Sequence, residues 1–429
     1  MFIKKIAGLA MVLSISGIVV SVSAGVDQPY EVGTWGDFAK GAVSFTFDDN
    51  TSNQLTVAQP MFDEFGFHMT MFIVCDWVGD KLADYKAPFE KGHEIASHSV
   101  SHPSGTMPAN QLGPSQQKIK EAIPGEMCAT IAYPNCNSPG DNEVKKYYIA
   151  GRICNGAANG KTPSNFMQIS STMCGSTGAN TTQALNGVAD QAASQGGWGV
   201  YLMHGMDPVA SGESNYSQTS PQALKGCLEY LDKNRNKVWV ETFGNVARYI
   251  KERDKASVKE KESSGDKIVV EVTDDLPDSI FNFPLSIRRP LPDGWTTAYV
   301  SQNDKEIEDS IVTDGSNKFL VFKPVPDGGD VVISKEPPVE IRKRRTGLNN
   351  GFLAPVELQR NTLFIDANHF NNANLQVSLF NINGKLISNH EITGGNSCVS
   401  LQAGRLTTSA LVARVSGGGR VWSGIIVNK

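Results

Sequence analysis

The chain has 429 residues, a formal net charge of −5 and 19% charged residues. So mild a negative balance provides no basic field for nucleic acid, which excludes the charge-driven nucleic-acid binders. With about 400 residues beyond a leader, the chain exceeds what one hydrophobic core serves, which predicts two or three domains.

Lys4 and Lys5 precede an apolar stretch from Ile6 to Val22, and Val22-Ser23-Ala24 supplies small residues for cleavage. Residues 1–24 therefore read as a secretory signal peptide, too short and too quickly followed by a cleavage site for a membrane anchor. No other segment can span a bilayer, so the mature chain is expected to be secreted or on the surface of a bacterial cell, with no membrane span after cleavage. Export changes the reading of the cysteines. Cys75, Cys128, Cys136, Cys154, Cys174 and Cys227 lie in the first 230 residues, and Cys398 stands apart. Six cysteines in an oxidising compartment allow fifteen pairings. Cys128 and Cys136, flanking a short loop, are the preferred pair. The lack of paired CxxC spacing disfavours a thiolate metal site.

Between residues 35 and 255 short apolar runs alternate with stretches of helical period. Strands are predicted at Ala42–Phe47, Thr70–Val74, Glu94–Ser97, Thr130–Tyr133, Tyr148–Ile153, Gly199–Met203 and Val238–Glu241, and helices at Gln54–Glu64 and Gln222–Asn234. Such alternation predicts an α/β fold with a parallel sheet, open or closed into a barrel. Asp48, Asp49, His98 and His204 all fall at C-terminal strand ends, where barrels of this kind carry their chemistry. The charged run Lys251–Lys267, broken by Ser263-Ser264-Gly265, reads as a helix end passing into a linker. From 267 to 336 the period becomes two, with Pro-Asp-Gly turns at 292–294 and 326–328, predicting a small β-sandwich. A second linker over 337–354 carries the basic cluster Arg342-Lys343-Arg344-Arg345, an exposed tether, and residues 355–429 are again rich in strand.

The chemistry gathers in two motifs. Phe47 ends an apolar run followed by Asp48 and Asp49, two adjacent carboxylates that each make ionisation of the other more costly. A metal or a proton-transfer role resolves that conflict. His98 and His102, at i and i+4, can aim two imidazoles at one cation, as in other two-histidine zinc sites. One carboxylate completes three protein ligands and leaves a position for water, whose pKa the metal lowers. If Asp49 is the ligand, Asp48 remains as a general base, and His204 can protonate a leaving group. Five of the seven histidines lie between residues 68 and 204. His93 reads as structural and His68 has no partner spacing.

These motifs resemble the NodB-type polysaccharide deacetylases, also called carbohydrate esterase family four. Thr46-Phe47-Asp48-Asp49 matches the family's first motif, His98-Ser99-Val100-Ser101-His102 the second, and Leu202-Met203-His204 the fifth. The resemblance covers roughly residues 38–253 and implies a distorted (β/α) barrel. It also implies removal of acetyl groups from a carbohydrate, with Asp48 as base, Asp49, His98 and His102 as metal ligands and His204 as acid. The third motif departs from the family's Arg-x-Pro-Tyr: here it is Ala132-Tyr133-Pro134-Asn135. The resemblance then makes the Asn135 backbone N–H the oxyanion donor, with Tyr133 on the substrate cleft. Arg152, on the next strand, is a candidate replacement for the missing base-orienting cation. No aspartate–tryptophan fourth motif is found between 160 and 195, which leaves the partner of His204 open. Asp207, Pro208 and the loop 211–220 are candidates for one cleft wall.

The C-terminal runs Val377–Ile387 and Val421–Lys429 resemble the β-sandwich sorting domains of type IX secretion, implying that export machinery as a partner; an accessory carbohydrate-binding sandwich is the alternative. The whole reading is a secreted, metal-dependent carbohydrate deacetylase: an α/β barrel followed by two small all-β sandwiches. Zinc is the expected ion, with cobalt or nickel also suited to two imidazoles and a carboxylate. Acetyl xylan is the first expected substrate and N-acetyl glycans such as chitin or peptidoglycan the next. A non-catalytic glycan-binding member of the fold is the alternative, and a glycoside hydrolase a poorer one, because its carboxyl groups must stand about 5 Å or more apart.

Overall fold

The computed structural model describes residues 25–336 and, beyond them, residues 356–359, 362–365, 367–371, 373–380, 386–393, 399–402 and 410–427. The signal-peptide reading of 1–24, the linker over 337–354, Cys398 and part of the sorting-domain resemblance lie outside the described residues. The chain divides into two units, Met1–Val339 and Glu340–Lys429. Among the described residues no helix is long and apolar enough to cross a membrane.

The first unit is built on a curled parallel sheet of β1 (Gly41–Phe47), β2 (Thr70–Ile73), β3 (Glu94–Ser97), β4 (Thr130–Ala132), β5 (Ala150–Arg152), β6 (Thr172–Met173), β7 (Trp198–Met203) and β8 (Val238–Val240). Its order is β5-β4-β3-β2-β1-β7-β6, with β8 paired to the start of β1. Central β1 is buried along its whole length, as the near-continuous apolar runs of parallel strands require. A parallel bridge from Arg152 to Ile169, just ahead of β6, curls the two sheet edges toward each other. The fold expectation holds: a barrel-type parallel sheet, followed by antiparallel β-sheets.

Helices close the outer face, and their ends are set by sequence. Thr181 caps Thr182–Gln195 by accepting from the Ala184 amide, and Gly196 ends it at φ 62°. Ser220, with Pro221 at the first helical position, starts Pro221–Lys233. Thr242 caps Phe243–Lys255, a helix with two buried faces. Val246 and Ile250 join the core with Trp198 and Phe72, while Tyr249 enters the next core and donates to the Gly33 carbonyl at 2.7 Å.

Three expectations about organisation are corrected. The run Lys251–Lys267 is not a linker: Ser257–Ser263 is a strand paired with Lys267–Thr273, and Ser264–Asp266 is the turn between them. The small sandwich therefore begins before residue 267. It also recruits chain from ahead of the barrel, since Glu31–Val32 pairs with Ile287–Pro290 and Val26 bridges Val258. The barrel thus sits, in chain order, inside the sandwich, whose sheets contain four and five strands. Third, Cys128 is not bridged to Cys136. Cys136 pairs with Cys154, and Cys75, Cys128, Cys174 and Cys227 are buried free thiols. In the second unit Leu375–Phe380 pairs with both Leu386–Ile392 and Ala410–Gly417.

The contact between barrel and sandwich holds a buried acid. Glu252 is fully buried, accepts the Phe283 amide at 2.9 Å and leaves its second oxygen without a partner. Burial pushes its pKa from 4.5 up to about 8. The folded state therefore binds more protons than the unfolded one, so stability is greatest below the unfolded value and falls as pH rises toward about 8. Glu252→Gln should flatten that fall; a thermal melt series retaining the full wild-type slope in the variant would show that another group sets it.

Candidate metal and catalytic centre

Every part of the site leaves the C-terminal end of a strand, and several of its residues turn in the left-handed region. Asp49 (φ 66°) and Asn50 (φ 41°) follow β1, Ser99 (φ 73°) and His102 (φ 50°) follow β3, and Asn135 (φ 53°) follows β4. Such conformations cost on the order of 1–3 kcal/mol each and persist only where surrounding bonds impose them. Here the bonds are visible. Gln54 donates to the Asp48 carbonyl, the Asn50 side chain accepts from the Val74 amide at 2.9 Å, and Ser99 Oγ accepts from the His102 amide at 3.0 Å.

Asp49, His98 and His102 converge. Asp49 Oδ1 lies 3.6 Å from His98 Nε2 and 3.7 Å from His102 Nε2. Two ligand atoms each about 2.1 Å from a tetrahedral cation stand roughly 3.4 Å apart, so the spacing suits one ion. The protonation pattern suits it too. His98 Nδ1 lies 2.8 Å from the Ala132 carbonyl, which can only accept, so Nδ1 donates and Nε2 keeps its lone pair. Asp49 Oδ1 is buried without a hydrogen-bond partner, while Oδ2 accepts from Ser214 Oγ at 2.8 Å. An orphaned carboxylate oxygen facing two imidazole lone pairs fits a divalent cation. The ring of His102 stacks on half-exposed Trp77, with centroids 4.9 Å apart.

Asp48 sits beside this cluster, with Oδ2 3.7 Å from His98 Nε2. Arg152 is 1% exposed, reaches Asp48 Oδ2 with Nη2 and donates to Ser171 Oγ at 3.3 Å. Burial by itself would raise the Asp48 pKa; the Arg152 guanidinium, followed by His98 and His204, outweighs it and holds the carboxyl below the usual aspartate value. Arg152, named from sequence only as a candidate partner for Asp48, is paired with it. Asp48 Oδ1 remains buried and unpartnered. A carboxylate kept ionised, with one oxygen clamped and one free, can accept a proton.

His204 leaves β7 and is 7% exposed. Burial pushes its pKa down, against the upward pull of Asp48 and Asp49. Its Nδ1 has no hydrogen-bond partner among the described residues. The neighbour in contact is Tyr216, edge-on at 5.0 Å and half-exposed. Tyr216 and Ser214 both come from the loop 211–220, anchored where Glu213 accepts the Ser52 amide at 3.1 Å and Ser217 donates to the Cys174 carbonyl at 2.7 Å.

Around Asn135 the geometry divides. Its side chain donates to the Pro103 carbonyl at 3.1 Å, and the neighbouring Cys136–Cys154 bridge ties this turn to the end of β5, two residues from Arg152. Tyr133, expected on the cleft, is corrected: it is 2% exposed and donates to the Met167 carbonyl at 2.7 Å. A Cβ on Gly151 would come within 2.0 Å of its hydroxyl oxygen, so glycine is what admits the ring beneath the sheet edge. His93 holds the Met69 amide and Asp63, at 3.1 and 3.0 Å, and His68 faces Glu241 at 3.6 Å, both remote from the metal cluster. Ser214, Tyr216, Ser171 and Trp77 were not singled out from sequence; single hydroxyls and aromatics in loops or short strands have no spacing signal.

Residues 36–142 match a family model described as polysaccharide deacetylase. A gellan lyase from Bacillus sp is 28% identical over 329 residues, which cover 71% of this chain, and the chain spans 13% of the length of that relative. Among solved structures, the Xyl-CE4 domain of a multidomain xylanase from the hindgut metagenome of Trinervitermes trinervoides is 20% identical, covering 48% of this chain and 89% of that one at a TM-score of 0.35. A family 4 acetyl xylan esterase from Clostridium thermocellum, in complex with a cobalt ion, is 21% identical with the same coverages and a TM-score of 0.32.

Proposed function

We propose that this protein is a metal-dependent deacetylase that removes acetyl groups from a polysaccharide, with acetyl xylan as first substrate and N-acetyl glycans next. The observation that carries this reading is the pairing of two devices at one strand end. Asp49, His98 and His102 form a three-ligand cluster, and Asp48, held ionised by Arg152, lies beside it. A divalent cation, with zinc the expected one, supplies Lewis acidity toward the acetyl carbonyl and toward a water.

The chain's own residues divide the proton work. Asp48, through its unclamped Oδ1, accepts the proton of the attacking water. His204, across the site, donates to the departing sugar oxygen or nitrogen. The Asn135 N–H is the candidate donor to the oxyanion, in a turn held by the Pro103 contact and the adjoining disulfide. The division into leader, barrel, sandwich, linker and sorting-like domain belongs to the same proposal. So does bacterial export with type IX machinery as partner, which the loose C-terminal resemblance and the antiparallel pairing there support.

The unpartnered Nδ1 of His204 favours one second reading, a glycan-binding member without turnover. Purified zinc-loaded protein should release acetate from acetyl xylan, chitin oligomers or peptidoglycan without shortening the chains. His204→Ala should lower that release by about 100-fold or more. Bound zinc with no acetate from any of the three would favour the binding reading, and shortened oligosaccharides would favour glycoside hydrolysis.

A further inference from the structure

We infer that Ser214 is a positioning residue for the metal, dictating that Asp49 binds through Oδ1 alone. This rests on the reading of Asp49, His98 and His102 as ligands. A carboxylate at a cation can offer one oxygen or both, and the choice changes the charge and the coordination positions left for water and substrate. In this chain Asp49 Oδ2 is already occupied by Ser214 Oγ at 2.8 Å, and Oδ1 is the buried, partnerless atom facing both imidazoles. A hydroxyl donating to one oxygen withdraws that oxygen from the ion and locks rotation of the carboxyl plane.

Ser214 is itself held. Glu213 takes the Ser52 amide on both carboxylate oxygens at 3.1 Å, which ties the loop to the segment just after Asp49. On the other side, Ser217 is buried and bonded to Cys174 and Thr177, and Thr219 pairs with the Met206 region. Between these anchors the loop presents Ser214 to a metal ligand and Tyr216 to His204. One loop therefore touches both halves of the candidate machinery, the metal cluster and the acid. It does so with side chains that no catalytic motif contains.

The test uses metal-stripped full-length protein titrated with Zn2+ alone against a chromophoric chelator. Ser214→Ala should bind zinc about 10–100-fold more weakly than wild type, the range for loss of an outer-shell partner. Ser214→Thr, which keeps the hydroxyl, should retain wild-type affinity. Wild-type affinity in Ser214→Ala would overturn the inference. Equal weakening in Ala and Thr variants would overturn it too, by assigning the effect to the loop rather than to the hydroxyl. If the wild-type chain itself bound no zinc, the reading of the three ligands would fail instead.

Discussion

Arg152→Met should destabilise the protein by about 3–5 kcal/mol at neutral pH, because it leaves the Asp48 carboxylate buried beside no permanent cation. Methionine keeps the aliphatic stem but not the guanidinium, so a packing loss adds to the electrostatic one at this buried site, and the pH dependence separates the two. Both partners are nearly fully buried, which is the condition under which breaking a pair costs most. The pH dependence gives the sign. Arg152 holds the Asp48 pKa below its unfolded value, so its contribution is present above that value and disappears as pH falls through the folded one. Urea unfolding should show its largest gap between wild type and variant at neutral pH, and the gap should shrink as pH falls below the ordinary aspartate value of 3.8. Adding Asp48→Asn to Arg152→Met should recover part of the loss, since removing both charges leaves neither stranded. A wild-type midpoint for Arg152→Met at neutral pH would remove Arg152 from its role.

The second large effect concerns the ion. Zinc at one hundred times its Kd should stabilise wild type by about 2.7 kcal/mol, and His98→Ala should abolish that gain. His98 is the most constrained of the three candidate ligands: it is 2% exposed, and Nδ1 is committed to the Ala132 carbonyl. Its loss leaves Asp49 and the more accessible His102. Thermal melts with and without zinc read the difference directly. An equal zinc-induced shift in wild type and His98→Ala would place the ion elsewhere.

Much of this site was legible because its chemistry falls in short motifs at strand ends. Asp48, Asp49, His98, His102 and His204 are each within a few residues of an apolar run, and the structure brings the first four to one end of the sheet. Arg152 could be named only as a candidate, since its partnership with Asp48 spans 104 positions and depends on how the sheet curls. Ser214 was reached only through the expectation that the loop 211–220 forms a cleft wall, because a single serine in a serine-rich loop is the default reading of a turn. Tyr133 was misplaced because the absent side chain at Gly151, not anything at Tyr133, decides where the ring goes.

The linker at 251–267 failed for a different reason. Along Ser257–Ser263 Val258 alone is buried, so the strand shows almost none of the alternation that announces a half-buried strand. Its pairing comes from Lys267–Thr273, whose apolar run supplies the core for both. The disulfide was missed because fifteen connectivities were open and loop length was the only guide. Cys136 instead meets Cys154 across neighbouring strands, with Cα atoms 5.6 Å apart.

The most direct measurement is acetate release by zinc-loaded Asp48→Asn, with bound zinc quantified in the same sample. Asparagine keeps the shape but cannot accept the proton, so release should fall by about 100- to 10,000-fold, the usual contribution of a general base, while zinc content stays at the wild-type level. Wild-type acetate release from Asp48→Asn, with zinc still bound, would contradict Asp48 as the base.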